Sequence, residues 1–529
     1  MAIPRASPLV SFLAAVTLGI AGSDARADDS REHDGGATAV LPAGTFLAED
    51  GLRSFRETYE AGARPRRREP RYFRAVVEQG ALLAIGTAYY WIRPEINQED
   101  WDFPDYATRL SNFTPTFDTN LHVTNNILHP MAGSFYYGFA RLNGLSIPVS
   151  FAYSFTTSAV FEFFLEFLEK ASINDLVMTP MGGFAPGEFF VHLGEYFNSA
   201  PGGGKWTHKT SGVFLGLPHQ LHKVETFSPG SHEMPADSLG YSSFYAHRFA
   251  ALLGTGRVTN EEGHLGQSYD LRLEADLVSI PGFLQPGRFG LTFTDGDFTE
   301  ARLHASMGNG LGLSVDLFFE ANLAGHYGQN IAIVDGIRRG RAAMVAVDTS
   351  VKFSDRRLGN RYDGYAMANL VGPSFKLWGV HGDFVAKLEG ATHPDFATMY
   401  SLAFPHWAAE FGSDGAKTGL KDKGYYYAYG WSGRLRGTIG YRGLELGSRA
   451  FFGTYGSIDR WDRFQDKVSR DVHLSDQVTE LEAWVGYSTP VIPFHTRIYA
   501  EHFGRQSNME PVRWGQWDRR VGILVGSQF

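Results

Sequence analysis

The chain has 529 residues, with 48 Lys and Arg against 57 Asp and Glu, giving a net charge of −9 and a pI near 6.1. That balance leaves no electrostatic case for nucleic acid, and the absence of cysteine leaves neither a disulfide framework nor a lipoprotein lipid site. Glycine (61) and aromatics (41 Phe, 24 Tyr, 10 Trp) are abundant although mean hydropathy is −0.20, the composition of a transmembrane β-barrel.

The length exceeds one ordinary domain. Residues 1–27 read as a signal peptide: Arg5 begins it, Leu9 to Gly22 is apolar, and Ala25-Arg26-Ala27 is an A-x-A cleavage site. Residues 28–70 read as a flexible polar leader that ends in the basic cluster Arg64-Pro65-Arg66-Arg67-Arg68. A helical domain is expected over 71–205. Its first helix runs from Arg71 to Ile92, and its uncharged core from Gly80 is too short to span a bilayer. Helices are expected from Gly133 to Ile147 and from Val149 to Lys170. Then SINDLVMTPMGGFAPGE reads as a loop of turn-forming residues, and a short helix resumes at Glu188. The Gly-rich stretch 199–211 marks the domain break.

From there to residue 529 the period changes to two. Asp270, Arg272, Glu274 and Asp276 alternate with Leu271, Leu273, Ala275 and Leu277, and similar alternation recurs around Asp316 and Glu320, Arg434 and Arg436, Arg449, and Glu480 and Glu482. A charged face along most strands suits a wet lumen, and aromatics at strand ends suit interfacial girdles. Thirteen candidate strands can be counted, beginning with 212–224 and 268–279, with 225–263 and 392–423 as loops. The even number of closest fit is twelve antiparallel strands, within a range of 10–14. The final strand carries Val521, Ile523 and Val525 on the side that leads to the terminal Phe529, similar to the assembly signal of bacterial outer-membrane proteins.

The chemistry-bearing residues concentrate between Asn125 and Glu188. Glu162, Glu166 and Glu169 fall at i, i+4 and i+7 among phenylalanines, on one helix stripe. In apolar surroundings their pKa values would rise, which suits acid–base work; a stripe facing water is the plainer alternative. His129, Asp175 and Glu188 could join these glutamates as metal ligands or as an acid–base pair, with His129, Glu162, Glu166 and Asp175 the catalytic candidates. No HExxH or HxH spacing marks a metal, so neither a metal nor a cofactor is expected.

The spacing H-P-x₂-G-x₂-Y-Y-x₂-A-R-x₂-G, followed by E-x₃-E-x₂-E-x₂-S-x-N-D-x₃-T-P-x-G-G-x₃-G-E, resembles a bacterial outer-membrane-associated family of unknown function. The carrying residues include His129, Pro130, Gly133, Tyr136, Tyr137, Arg141, Gly144, Glu162, Glu166, Glu169, Ser172, Asn174, Asp175, Gly182, Gly183 and Glu188. The family pattern has Trp before the first Glu, where this chain has Phe161. The resemblance covers roughly residues 110–200 and implies an outer-membrane setting without an activity.

The expectation is therefore an all-β transmembrane barrel over 206–529 preceded by a small helical domain, in the outer membrane of a Gram-negative cell. Outer-membrane lipid and the barrel-assembly machinery, reached through the last strand, are the expected partners. Two functions stay open. In one, the barrel is a channel, transporter or envelope organiser, with the helices as plug or docking module and Arg272, Glu274, Asp316, Glu320, Arg434, Arg436, Arg449, Glu480 and Glu482 lining the lumen. In the other, an enzyme modifies envelope lipid or lipopolysaccharide through His129, Glu162, Glu166 and Asp175.

Overall fold

A computed structural model describes residues 69–92, 117–118, 120–166, 171–222, 236–263, 265–309, 311–358, 361–416, 418–458, 473–489 and 492–529. The signal peptide, the leader up to residue 68 and Glu169 lie outside the described residues.

Fourteen strand segments form one antiparallel sheet: β1 (Ala246–Asn260), β2 (Leu265–Val278), β3 (Gly287–Phe293), β4 (Phe298–Asn309), β5 (Leu311–Val334), β6 (Ile337–Leu358), β7 (Arg361–Asn369), β8 (Gly372–His381), β9 (Phe384–Tyr400), β10 (Tyr425–Tyr441), β11 (Leu444–Ser457), β12 (Leu474–Ser488), β13 (Phe494–Met509) and β14 (Val512–Gln528). They fill twelve positions. The segments β3 and β4 follow one another along the same side of β5, and β7 and β8 do so between β6 and β9. The ring closes where β14 pairs with β1, and Phe249 and Phe529 exchange backbone hydrogen bonds of 3.0 and 2.8 Å at the seam. Twelve strands agrees with the sequence. Two details differ. The described part of 212–224 is largely helical, within Trp206–Leu215 and Leu217–Leu221, an apolar run too short for periodicity to assign. All of β1 lies in the expected 225–263 loop, because Ala250, Ala251, Gly254 and Gly256 blur its alternation.

Inside and outside follow parity. Arg436 of β10 reaches Glu300 of β4 at 3.1 Å, and Arg356 of β6 reaches Asp518 of β14 at 2.6 Å, so these side chains cross the lumen. The opposite parity presents Leu253, Val345, Leu435, Leu446, Leu481, Val485, Ile498 and Ile523 outward, all exposed. A charged interior inside an apolar exterior is the pattern of a barrel in lipid.

The helices are α1 (Tyr72–Ile92), α2 (His129–Leu142), α3 (Ile147–Val160), α4 (Ile173–Phe197), α5 (Trp206–Leu215), α6 (Leu217–Leu221), α7 (Phe404–Phe411) and α8 (Thr418–Lys423), with wider turns at Thr124–Leu128 and Phe161–Leu165. No described helix is long and apolar enough to cross a membrane. The stretch expected to be a loop is the first half of α4, a 25-residue helix that contains Pro180 and Pro186. Its glycines serve helix packing: a Cβ on Gly183 would lie 2.4 Å from the Gly133 carbonyl carbon, and one on Gly133 would lie 1.7 Å from the Thr179 carbonyl oxygen. The backbones of α2 and α4 touch, as in the small-residue crossings of membrane helices, where internal prolines are tolerated.

The layer built on α2 and α4 does not enter the lumen, whereas Phe404 and Trp407 of α7 and Leu420 of α8 pack on the inward-facing Tyr365, Met367, Tyr426, Tyr455 and Phe503. The segment α4 passes over β2, β4, β5, β6 and β7 on their outer side. At about 1.5 Å per residue it is about 37 Å long, enough to cross five strands about 4.8 Å apart. Beneath the helices runs one continuous row of register partners: Phe249, Ala275, Ala301, Phe319, Val351, Ala368 and Phe396. All have outward parity. Ala368 is fully buried, and the next partner, Tyr429, is exposed where the cover ends. The physical reason is that this wall is apolar while the lumen is charged, so aromatic helices bury more apolar surface outside than they could within.

Candidate functional site

Two polar clusters lie within the helical layer. The first joins α2 to α4 and to the barrel. Arg141 clasps Glu188 with Nε to Oε2 and Nη2 to Oε1, both at 2.8 Å. Tyr137 donates to the same carboxylate at 2.5 Å, and His192, one turn further along α4, stands 3.2 Å from it. Arg141 and His192 also meet the Asp295 carbonyl, in the break between β3 and β4. Gly296, with φ of +71°, lets Glu188 sit against that break: a Cβ there would lie 2.6 Å from Oε1. Burial by itself would raise the Glu188 carboxyl, but Arg141 and His192 hold it well below the ordinary range. Burial would lower His192, yet its bond to Glu188 lifts it to about 9.

The second cluster gathers His129, Glu162 and Asp175, whose ligand-type atoms all lie within 4.8 Å of one another. His129 opens α2, Glu162 sits in the wide turn after α3, and Asp175 lies in the first turn of α4, after the N-cap Ser172. Glu162 and Asp175 are buried; His129 is partly so. Asp118, which the sequence reading missed, packs beside them and accepts from Asn125 at 2.5 Å, Asn174 at 3.0 Å and Tyr427 at 3.1 Å, which ties the cluster to the outer wall at β10. Burial lowers His129. Burial, then the charges of Asp118 and Glu162, raise Asp175 well above its ordinary value. A neutral imidazole beside crowded carboxylates can ligate a cation or pass a proton.

The expected glutamate stripe is corrected here. The helical path ends at Leu165, and Glu166 has φ −80° and ψ 66°, so Glu162 and Glu166 do not share a straight helix face. Glu166 is half-buried, and its charge reaches Asp175 and Tyr136. The remaining motif residues pack α2 on α4: Pro130 meets Gly182, and Tyr137 meets Gly187.

Inside the barrel, a cavity of about 120 Å³ is lined by all nine expected lumenal residues, Arg272, Glu274, Asp316, Glu320, Arg434, Arg436, Arg449, Glu480 and Glu482. They pair closely. Arg272 bonds Glu482 and reaches Glu501 at 2.5 Å, Arg434 reaches Glu320 at 2.9 Å, and Arg449 reaches Glu482 at 2.7 Å. Lys352, Lys376 and Arg497 belong to the same network and were missed, although Arg497 and Glu501 keep the period of two.

Residues 114–216 match the family model of a domain of unknown function (DUF3943), which spans the motif and most of the helical layer. Among solved structures the chain is similar to OpdQ and OprD of Pseudomonas aeruginosa, at 9% and 8% identity. These cover 54% of this chain and 98% and 95% of theirs, each with a TM-score of 0.17. A porin refined at 1.8 Å is 9% identical over 54% of this chain and all of its own, also at 0.17. A search of curated proteins found no match.

Proposed function

We propose that this protein is an outer-membrane β-barrel whose working part is the helical layer on its lipid-facing wall, in a role directed at envelope lipid. One observation carries the reading: the buried polar clusters of α2 and α4 lie outside the barrel, over the outward row from Phe249 to Phe396, while the lumen is braced by its own ion pairs. A barrel used this way is a scaffold that holds polar chemistry beside lipid. The exposed Phe73, Val77, Ile85, Trp91 and Phe135 on α1 and α2 give the layer an apolar outer surface suited to that setting.

A second reading, channel or transport, is favoured by the charged cavity itself. Conduction would require the cross-lumen pairs to part. Single-channel recording of the refolded full-length chain in a planar bilayer separates the two. Under the first reading wild type shows no steady conductance, and Arg272→Ala with Arg436→Ala, which cuts the bracing, introduces it. Steady conductance of wild type at neutral pH would overturn the first reading and favour the second.

A further inference from the structure

We infer that His129, Glu162 and Asp175 form a binding site for one divalent transition-metal ion of the zinc class, embedded between α2, α4 and the turn after α3. This goes beyond the reading above and does not depend on it. His129 Nε2 stands 3.6 Å from Asp175 Oδ2, too far for a hydrogen bond. Two ligand atoms on one zinc, each at about 2.0–2.2 Å, stand about 3.3–3.6 Å apart, so the observed gap fits an edge of a tetrahedron around a cation.

Groups outside the triad hold His129 and Asp175 by another of their atoms. Thr179 Oγ1 lies 3.3 Å from His129 Nδ1; with that nitrogen donating, the Nε2 lone pair faces the carboxylates. Asn174 Nδ2 donates to Asp175 Oδ1 at 2.9 Å, which leaves Oδ2 as the atom turned to His129. The Ser172 backbone N–H donates to Glu162 at 3.1 Å and fixes that carboxylate against the start of α4. Orientation of this kind is what ligating imidazoles and carboxylates receive from their surroundings. A set of one imidazole and two carboxylates suits zinc, and leaves a fourth position for water or a substrate oxygen. Magnesium, which prefers all-oxygen octahedra, suits it less.

The test uses the full chain in detergent, stripped with a chelator and titrated with Zn²⁺ alone and against excess Mg²⁺. Bound metal is counted by mass spectrometry after desalting. One Zn²⁺ per chain is expected, undisplaced by Mg²⁺, with binding at least 100-fold weaker in His129→Gln and in Asp175→Asn. Should those variants misfold, Thr179→Val keeps all three ligands and removes only the Nδ1 partner. It is expected to weaken Zn²⁺ by about 10–100-fold. No stoichiometric Zn²⁺ in wild type, or equal Zn²⁺ affinity in wild type and Thr179→Val, overturns the site.

Discussion

Arg141 and Glu188 form a two-pronged ion pair, both bonds 2.8 Å, with the carboxylate wholly buried and set against the break in the barrel wall at Gly296. The pair fastens α2 to α4 and both to the strand position shared by β3 and β4. Removing Arg141 takes the two-pronged partner from a buried carboxylate and leaves it only His192 and Tyr137, which costs up to about 3–5 kcal/mol. Arg141→Met is therefore expected to loosen the helical layer by that amount, and Arg141→Met with Glu188→Met to recover much of it. Denaturant midpoints, with limited proteolysis of the helical segment, read both. A double variant no more stable than the single one would show that the pair does more than balance charge.

The same cluster makes the layer sensitive to alkaline pH. His192 is lifted to about 9 because its bond to Glu188 outweighs the burial that would lower it; Glu195 and Asp297 add to the lift, and Ser279 holds the other ring nitrogen at 3.3 Å. A histidine raised on folding contributes stability in full below its unfolded value of about 6.5, and that contribution is lost as pH rises through the folded value. The helical layer should therefore weaken between about pH 6.5 and 9, and His192→Gln should flatten the slope. Glu188 acts in the opposite direction at acid pH: its contribution is present above about pH 4.3 and is lost as pH falls toward its lowered value. Unfolding midpoints across pH 5–10 test the alkaline limb.

Gly183 and Gly80 are helix glycines with opposite surroundings. A Cβ on Gly183 meets the backbone of Gly133 and Ser134 at 2.4 Å, atoms that cannot rotate away, whereas Gly80 has nothing within 4 Å. Gly183→Ala should separate α2 from α4 and cost at least the ~3 kcal/mol at the upper end of overpacking. Gly80→Ala should stabilise α1 by up to about 1 kcal/mol. Circular dichroism melts of the two variants decide this; equal effects would show that the helices do not cross at their glycines.

These glycines also explain what the sequence showed and what it hid. Alternation located eleven of the twelve strand positions, because Arg272, Glu320, Arg436 and Glu482 had to sit on one face and their apolar neighbours on the other. It failed at β1, whose small residues carry no contrast, and at Thr179-Pro180-Met181-Gly182-Gly183, where turn chemistry competes with helix packing. Glycine and proline reverse their meaning when another helix lies against them, and one sequence does not reveal that neighbour. His129, Glu162 and Asp175 were legible as residues, but their meeting depends on α4 beginning at Ile173, which the loop reading concealed. The side of the wall on which the helices lie was not legible at all, since aromatic helices can seek apolar surface at a lumen mouth or outside.

That last point has its own test. Ala368 and Ala483 both project outward, on β7 and β12. Ala368 is fully buried under the helical layer, and Ala483 is exposed on the uncovered wall. Phenylalanine at an uncovered outward position meets lipid and should leave stability within about 0.5 kcal/mol of wild type. At Ala368 it must displace packed helix, which costs about 1–3 kcal/mol. Ala368→Phe should therefore lower the unfolding midpoint and expose the α4 region to protease, while Ala483→Phe does neither. If the helices occupied the lumen, both positions would face lipid and the two variants would behave alike. The difference between them is thus a direct reading of which side of the barrel wall carries the helices, and with them the His129, Glu162 and Asp175 cluster.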